Sequence, residues 1–268
     1  MQKKLLLIIL LALGLSTNVV LTNIVAVANP AANIRVRERN HKKPVRRSIL
    51  EFKAPKERPT ANREGGEPAG ECLPSRKNLN ALLSPRPKNL EINKTPVEIT
   101  LNSHPTFFVH FEQSPIKQAE FLLRDENSEI LLREDIDLYS TNGIISYSLP
   151  KSFKGLEVGK KYKWRFSLFC SRIDRSANPK IGAWIQRVEP SKLVAKQLAA
   201  AKDDFQRSVI YAENGFWHET IKSLTDLRAA NPNDKIITES LRNVLKSAGL
   251  ESLANKPVIQ VTGVPSED

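Results

Sequence analysis

Four histidines, two cysteines and three tryptophans are the side chains of this 268-residue sequence with the most chemical potential, and their spacing decides what they can do. An imidazole can move a proton or hold a metal near neutral pH, provided a second polar group stands beside it. His41 sits in a basic run, and His104 stands between Ser103 and Pro105. His110 alternates with Phe107, Val109 and Phe111, which puts it on the other face of a strand, at an edge or in solvent. His218 lies between Trp217 and Glu219 in a helical pattern. None belongs to an HExxH helix, and no nucleophile-elbow serine, phosphate loop or repeated DxD metal loop occurs. The chain therefore reads as noncatalytic and calls for no metal or cofactor. An enzyme would require serine, histidine and acid to converge in space without a local mark. Trp184, with His104 and His110, forms the candidate interaction surface, because an indole standing on a sheet offers a platform for a ligand or glycan.

Cys72 and Cys170 are even in number, and pairing is the expectation if the chain matures in an oxidising compartment. The bond would close a loop of about 100 residues, worth about 4–5 kcal/mol in an entropy model. Two free thiols or a two-residue metal site are the alternatives, and no cluster supplies four ligands.

The amino terminus bears on that compartment. Lys3 and Lys4 precede an apolar run at 5–13, and Ala26-Val27-Ala28 offers the small-x-small pattern of a cleavage site. Residues 1–28 are read as a signal peptide, with a retained anchor helix as the alternative. The mature chain is then expected in the periplasm or secreted, with no later transmembrane helix.

Charge is the other compositional lead. The chain carries 41 Lys and Arg against 29 Asp and Glu, a formal +12. Such a balance attracts anionic polymers and surfaces and says nothing about fold. Export leaves nucleic acid outside the expected partners, which are an envelope protein or an anionic polymer. Residues 29–70 concentrate the charge, with Arg35, Arg37, Arg39, Lys42, Lys43, Arg46 and Arg47. Prolines at 44, 55, 59 and 68 interrupt any helix, and the few apolar residues lack a period. This segment is read as a disordered basic arm.

The elements that must position these residues follow from periodicity. Residues 71–189 hold short apolar runs separated by Pro and Gly, which predicts six or seven strands in an antiparallel, immunoglobulin-like or fibronectin-like β-sandwich. The strongest signal puts Tyr162, Trp164, Phe166, Leu168 and Cys170 on one face, with Lys161, Lys163, Arg165 and Ser167 on the other. Trp164, Phe107, Val109, Phe111, Tyr162, Phe166 and Trp217 form the expected core. After Pro190 the period becomes helical. Ser191 and Asp203 or Asp204 are candidate N-caps, Gly249 is a candidate C-cap, and three to four short helices fill 190–250. Two of them suggest one tetratricopeptide-type hairpin, which must pack on itself or on the sandwich. The tail, 251–268, shows little pattern and is expected to be flexible.

Several of these stretches carry a family resemblance. Gly70-Glu71-Cys72, His104-Pro105-Thr106-Phe107-Phe108-Val109, Tyr162-Lys163-Trp164, Leu168-Phe169-Cys170, the run from Trp184 to Pro190, Tyr211-Ala212-Glu213-Asn214-Gly215 and Trp217-His218-Glu219-Thr220 resemble the cyanobacterial exported family catalogued as domain of unknown function number 928. The likeness covers roughly residues 70–250. It implies an exported protein and supplies no activity. The preferred expectation is a noncatalytic envelope docking module, and the alternative is a carbohydrate-binding or hydrolytic accessory of the envelope.

Overall fold

Tyr162, Trp164, Phe166 and Leu168 alternate along β8 (Lys161–Leu168) and are all buried, at 2%, 1%, 1% and 0% exposure. Around that strand the computed structural model describes residues 48–55, 60–62, 79–87, 90, 94–111, 116–139, 143–170 and 178–266. The remaining strands are β1 (Thr60–Asn62), β2 (Leu79–Ala81), β3 (Lys94–Thr100), β4 (Thr106–Phe111), β5 (Gln118–Arg124), β6 (Ile130–Asp137), β7 (Gly143–Ser148), β9 (Lys180–Arg187), β10 (Val258–Val261) and β11 (Gly263–Pro265). They form a seven-stranded sheet, β1-β3-β9-β8-β5-β6-β11, and a four-stranded sheet, β10-β7-β4-β2. The expectation of purely antiparallel pairing is corrected at two places. β3 runs parallel to β9 and β10 runs parallel to β7, so both sheets are mixed.

The two sheets share one apolar core. Phe107, Val109, Phe111, Ile145 and Tyr147 of the small sheet meet Phe121, Leu123, Trp164 and Phe166 of the large one. Phe107 and Trp164 pack with ring centroids 4.9 Å apart, and Phe121 and Tyr147 at 4.3 Å. A carboxylate also enters this core. Glu134 of β6 is 4% exposed and accepts a 2.7 Å hydrogen bond from the Tyr147 hydroxyl. Burial, then that bond, pushes the Tyr147 phenol well above its ordinary range.

A third layer covers the other face of the small sheet. Helices α1 (Lys192–Ala200), α2 (Asp204–Glu213), α3 (Trp217–Ala230) and α4 (Lys235–Ser247) fill the segment that the sequence reads as helical. Ser191 Oγ caps Val194 N–H at 3.2 Å and Asp203 Oδ1 caps Gln206 N–H at 2.8 Å, while Gly249 takes the positive φ of a C-terminal stop. Phe108 and Ile144 join Trp217, Ile221, Leu224, Leu241 and Val244 in a second core. Every residue of β4 is consequently buried. No helix among the described residues is long and apolar enough to cross a membrane.

Two segments expected to be loose are built into the fold. Residues 48–55, inside the predicted arm, lie against the helices. Leu50 is 4% exposed and its N–H donates to Ser240 Oγ at 3.0 Å. Lys53 N–H donates to Ala212 O at 3.0 Å, and the Phe52 ring meets Trp217 edge-on at 4.9 Å. An extended strap has no helical or alternating period, so its few apolar anchors do not announce themselves. Gly215 accommodates it: its φ is +77°, and a Cβ there would stand 2.5 Å from the Pro55 ring. β1 likewise falls within 29–70 and pairs with β3. Residues 1–28, Cys72 and all seven named basic-arm residues lie outside the described residues.

The expected flexible tail is the second correction. Glu251–Leu253 forms a 3₁₀ turn, β10 joins the small sheet beside β7, and β11 joins the large sheet beside β6. The physical reason is that β6 and β7 would otherwise be long edge strands, and the short β11 and β10 cover their open sides. Gly263 lies over Glu134, where a Cβ would come within 2.2 Å of its Oε2.

Candidate functional site

The three residues offered as an interaction surface are not brought together. His104 is a loop fastener. Its Nε2–H donates to Phe153 O at 2.9 Å and its Nδ1 accepts from Ser103 Oγ at 2.9 Å, tying the β3–β4 loop to the turn at 153–156. His110, expected at an edge or in solvent, is 2% exposed, because helices cover its face of β4. The doublet Phe107-Phe108 was the available signal, since adjacent bulky residues mark a strand buried on both sides. Trp184 stands on the outward face of the seven-stranded sheet and is half-buried.

Around Trp184 that outward face gathers positive charge. Inward placement of Tyr162, Trp164 and Phe166 sends Lys161, Lys163 and Arg165 outward by the pleat. Lys163 is flanked across the ladders by Arg124 on β5 and by Trp184 on β9. Burial, then the Arg165 charge, holds the Lys163 amine below its ordinary range. Glu120, 6% exposed, pairs with Arg165 at 3.5 Å and Arg133 at 3.8 Å. One buried acid thus serves two arginines of this face. Arg124 and Lys163 stand directly opposite on a ladder, where like charges repel.

A pocket of about 450 Å³ opens elsewhere, between α2, α3 and the loop from β3 to β4. Glu219, in the first turn of α3, fixes that loop: its Oε1 accepts from Thr100 Oγ1 at 2.5 Å, Leu101 N–H at 2.7 Å and Asn102 N–H at 3.2 Å. His218, 3% exposed, donates from Nδ1 to Thr106 O at 3.0 Å. A carbonyl only accepts, so Nδ1 carries a proton. His218 Nε2 and Glu219 Oε2 are buried without a hydrogen-bond partner. Tyr211 shares the wall, its phenol pushed up by burial and then by the Glu219 charge. Two ion pairs complete the lining, Asp204 with Arg207 at 3.0 Å and Lys222 with Asp226. Sequence reasoning named His218 but not this pocket, because nothing local says that residues 101–106 return to the start of α3. Among the described residues no group of three or more His, Cys, Asp or Glu is placed to hold a metal ion.

Comparison with known proteins adds one finding. A family model described as Domain of Unknown Function (DUF928) matches residues 58–258. No curated protein matches the chain.

Proposed function

The chain belongs to the DUF928 family, and since that membership names no activity, we propose from its surfaces that it is a noncatalytic, exported docking protein for an anionic polymer of the cell envelope. The observation that carries this reading is the outward crowd of Arg124, Lys163 and Arg165 beside Trp184. A polyanion would be attracted to this group of cations, and the indole would lie against its sugar rings. The basic residues before position 48 add long-range attraction.

The test is binding of the mature chain to dextran sulfate, with uncharged dextran as control, at low and high salt. The sulfated polymer should bind at least tenfold more tightly, and the preference should fall as salt screens the charges. Lys161→Gln with Lys163→Gln should weaken binding about fivefold, since each exposed contact is worth at most about 1 kcal/mol. Equal binding of the two polymers would end the proposal.

Three finer features belong to the same reading. We take the framework as immunoglobulin-like or fibronectin-like, supported by the order β9-β8-β5-β6 facing β2-β4-β7, which follows a G-F-C-C′ sheet opposite A-B-E. The antiparallel α2 and α3, turned through Asn214 and Gly215, serve as one tetratricopeptide-type hairpin. We also propose a leader at residues 1–28 and a Cys72–Cys170 disulfide, for which support comes from the absence of a free thiol at Cys170. Thiol titration of the unfolded, unreduced mature protein should find no free cysteine, and reduction should cost about 2–4 kcal/mol. Two titratable thiols would remove the bond.

A further inference from the structure

We infer that the cavity of about 510 Å³ where the ends of β5, β6 and β8 meet is a binding site for a neutral sugar ring of a glycan, with Tyr139 and Phe169 as its aromatic walls and Asp137 and Lys117 as its hydrogen-bonding groups. The site is separate from Arg124, Lys163 and Arg165 and does not rest on the polyanion reading.

The pleat builds it. Gln118 of β5 stands opposite Asp137 of β6, and the pairing of Ala119 with Leu168 continues one step, where Phe169 N–H donates to Gln118 O at 2.9 Å. Asp137, Gln118 and Phe169 form one row across three strands, about 10 Å long at two strand spacings. Leu138, between Asp137 and Tyr139, is 4% exposed in the sandwich core, and Cys170, after Phe169, packs against that core. Alternation therefore sends Asp137, Tyr139 and Phe169 to the outer side, where they line one cavity with Lys117 and Gln118.

Two features of that lining favour a sugar. The first is aromatic. Tyr139 is 89% exposed, the most exposed large hydrophobic side chain among the described residues, and belongs to neither core. A lone surface aromatic asks for no explanation, but this ring shares its cavity with a second one, the half-buried Phe169. Aromatic walls with a few polar groups are the make-up of a small-ligand site.

The second is polar. Gln118 Nε2 donates to Asp137 Oδ1 at 3.3 Å, which steers the carboxylate and leaves Oδ2 for a ligand. Lys117 and Asp137 are both exposed, and among the described residues neither forms an ion pair, with the other or with a third group. One donates and one accepts, which suits hydroxyls, since each hydroxyl does both. A cationic ligand would be repelled by Lys117 and an anionic one by Asp137. A zwitterion would answer both charges, but ion pairs at exposed side chains are weak, and it offers the rings no flat apolar face. A pyranose brings C–H groups to Tyr139 and Phe169 and hydroxyls to Asp137 and Lys117.

The experiment titrates methyl β-D-glucopyranoside, methyl β-D-galactopyranoside and methyl α-D-mannopyranoside, each alone, into the native mature chain, with the Tyr139 ring and the amides of Asp137, Leu138 and Tyr139 followed by NMR. At least one glycoside should shift these signals saturably with a millimolar Kd, and sorbitol, which has the hydroxyls without the ring, should bind at least fivefold more weakly. Tyr139→Ala changes a side chain outside both cores, so the protein should stay folded, and should lower the affinity at least fivefold. Asp137→Ala should lower it at least threefold. No saturable shift with any of the three glycosides, equal binding of sorbitol, or undiminished affinity in either folded variant would overturn the assignment. Glycylglycine binding more tightly than every glycoside would overturn it too, in favour of a zwitterion. The glycosides carry no charge, so their failure would leave the binding of dextran sulfate untouched.

Discussion

Replacing Trp217 with alanine is expected to remove about 3–5 kcal/mol of stability in a urea titration, the range for a fully buried indole. Trp217 is 1% exposed and joins three parts of the molecule. Its ring stands within the helical core, meets Phe52 of the amino-terminal strap at 4.9 Å, and donates from Nε1 to Leu82 O at 2.8 Å beside the small sheet. Truncation opens a cavity and leaves the Leu82 carbonyl without its donor. Trp217→Phe separates the two effects: it keeps most of the volume and should cost about 1–3 kcal/mol from the lost hydrogen bond and the residual void. With total stability of order 5–15 kcal/mol, the alanine variant would be partly unfolded at modest urea. A loss under about 1 kcal/mol would mean that the helices are not a packed third layer.

A chain ending at residue 256 is expected to lose more than about 10 °C in its thermal transition, corresponding to about 3–5 kcal/mol for a domain of this size. The removed segment edges both sheets. β10 matches Val258 through Val261 to Ile144 through Tyr147, and β11 pairs Gly263 with Ile136 and Pro265 with Glu134. Its loss exposes two ladders and lets water reach Glu134 and Tyr147. Gly263→Val is the finer probe, because the added Cβ would displace the Glu134 carboxylate while leaving the strands their length. An unchanged transition in both proteins would show that the tail contributes nothing to the sandwich.

What the sequence disclosed depended on whether the physical constraint was local. β8 was legible because one face of a half-buried sheet writes itself as alternation, and the helix caps were legible because Ser191 and Asp203 bond amides only three residues away. β3 was not, because Pro96 interrupts it and its inward position is Glu98, whose carboxylate meets Ser84 Oγ at 2.8 Å. β10 and β11 are too short for a period, and each is a strand by virtue of a partner more than a hundred residues away. The basic sheet face was half legible. Lys161, Lys163 and Arg165 were assigned together to the outward side, but Arg124 and Trp184 join them through register, which alternation does not encode. His218 and Glu219 were visible only as two polar residues opening a helix, and the loop that turns them into a pocket comes from the opposite half of the chain.

The docking proposal is tested most directly by where a polyanion lands. Lysine acetylation rates, read residue by residue with and without bound dextran sulfate, should fall several-fold at Lys161 and Lys163 while Lys222 and Lys246 on the helices react as before. Protection confined to Lys42 and Lys43, with Lys161 and Lys163 reacting at their free rates, would contradict it.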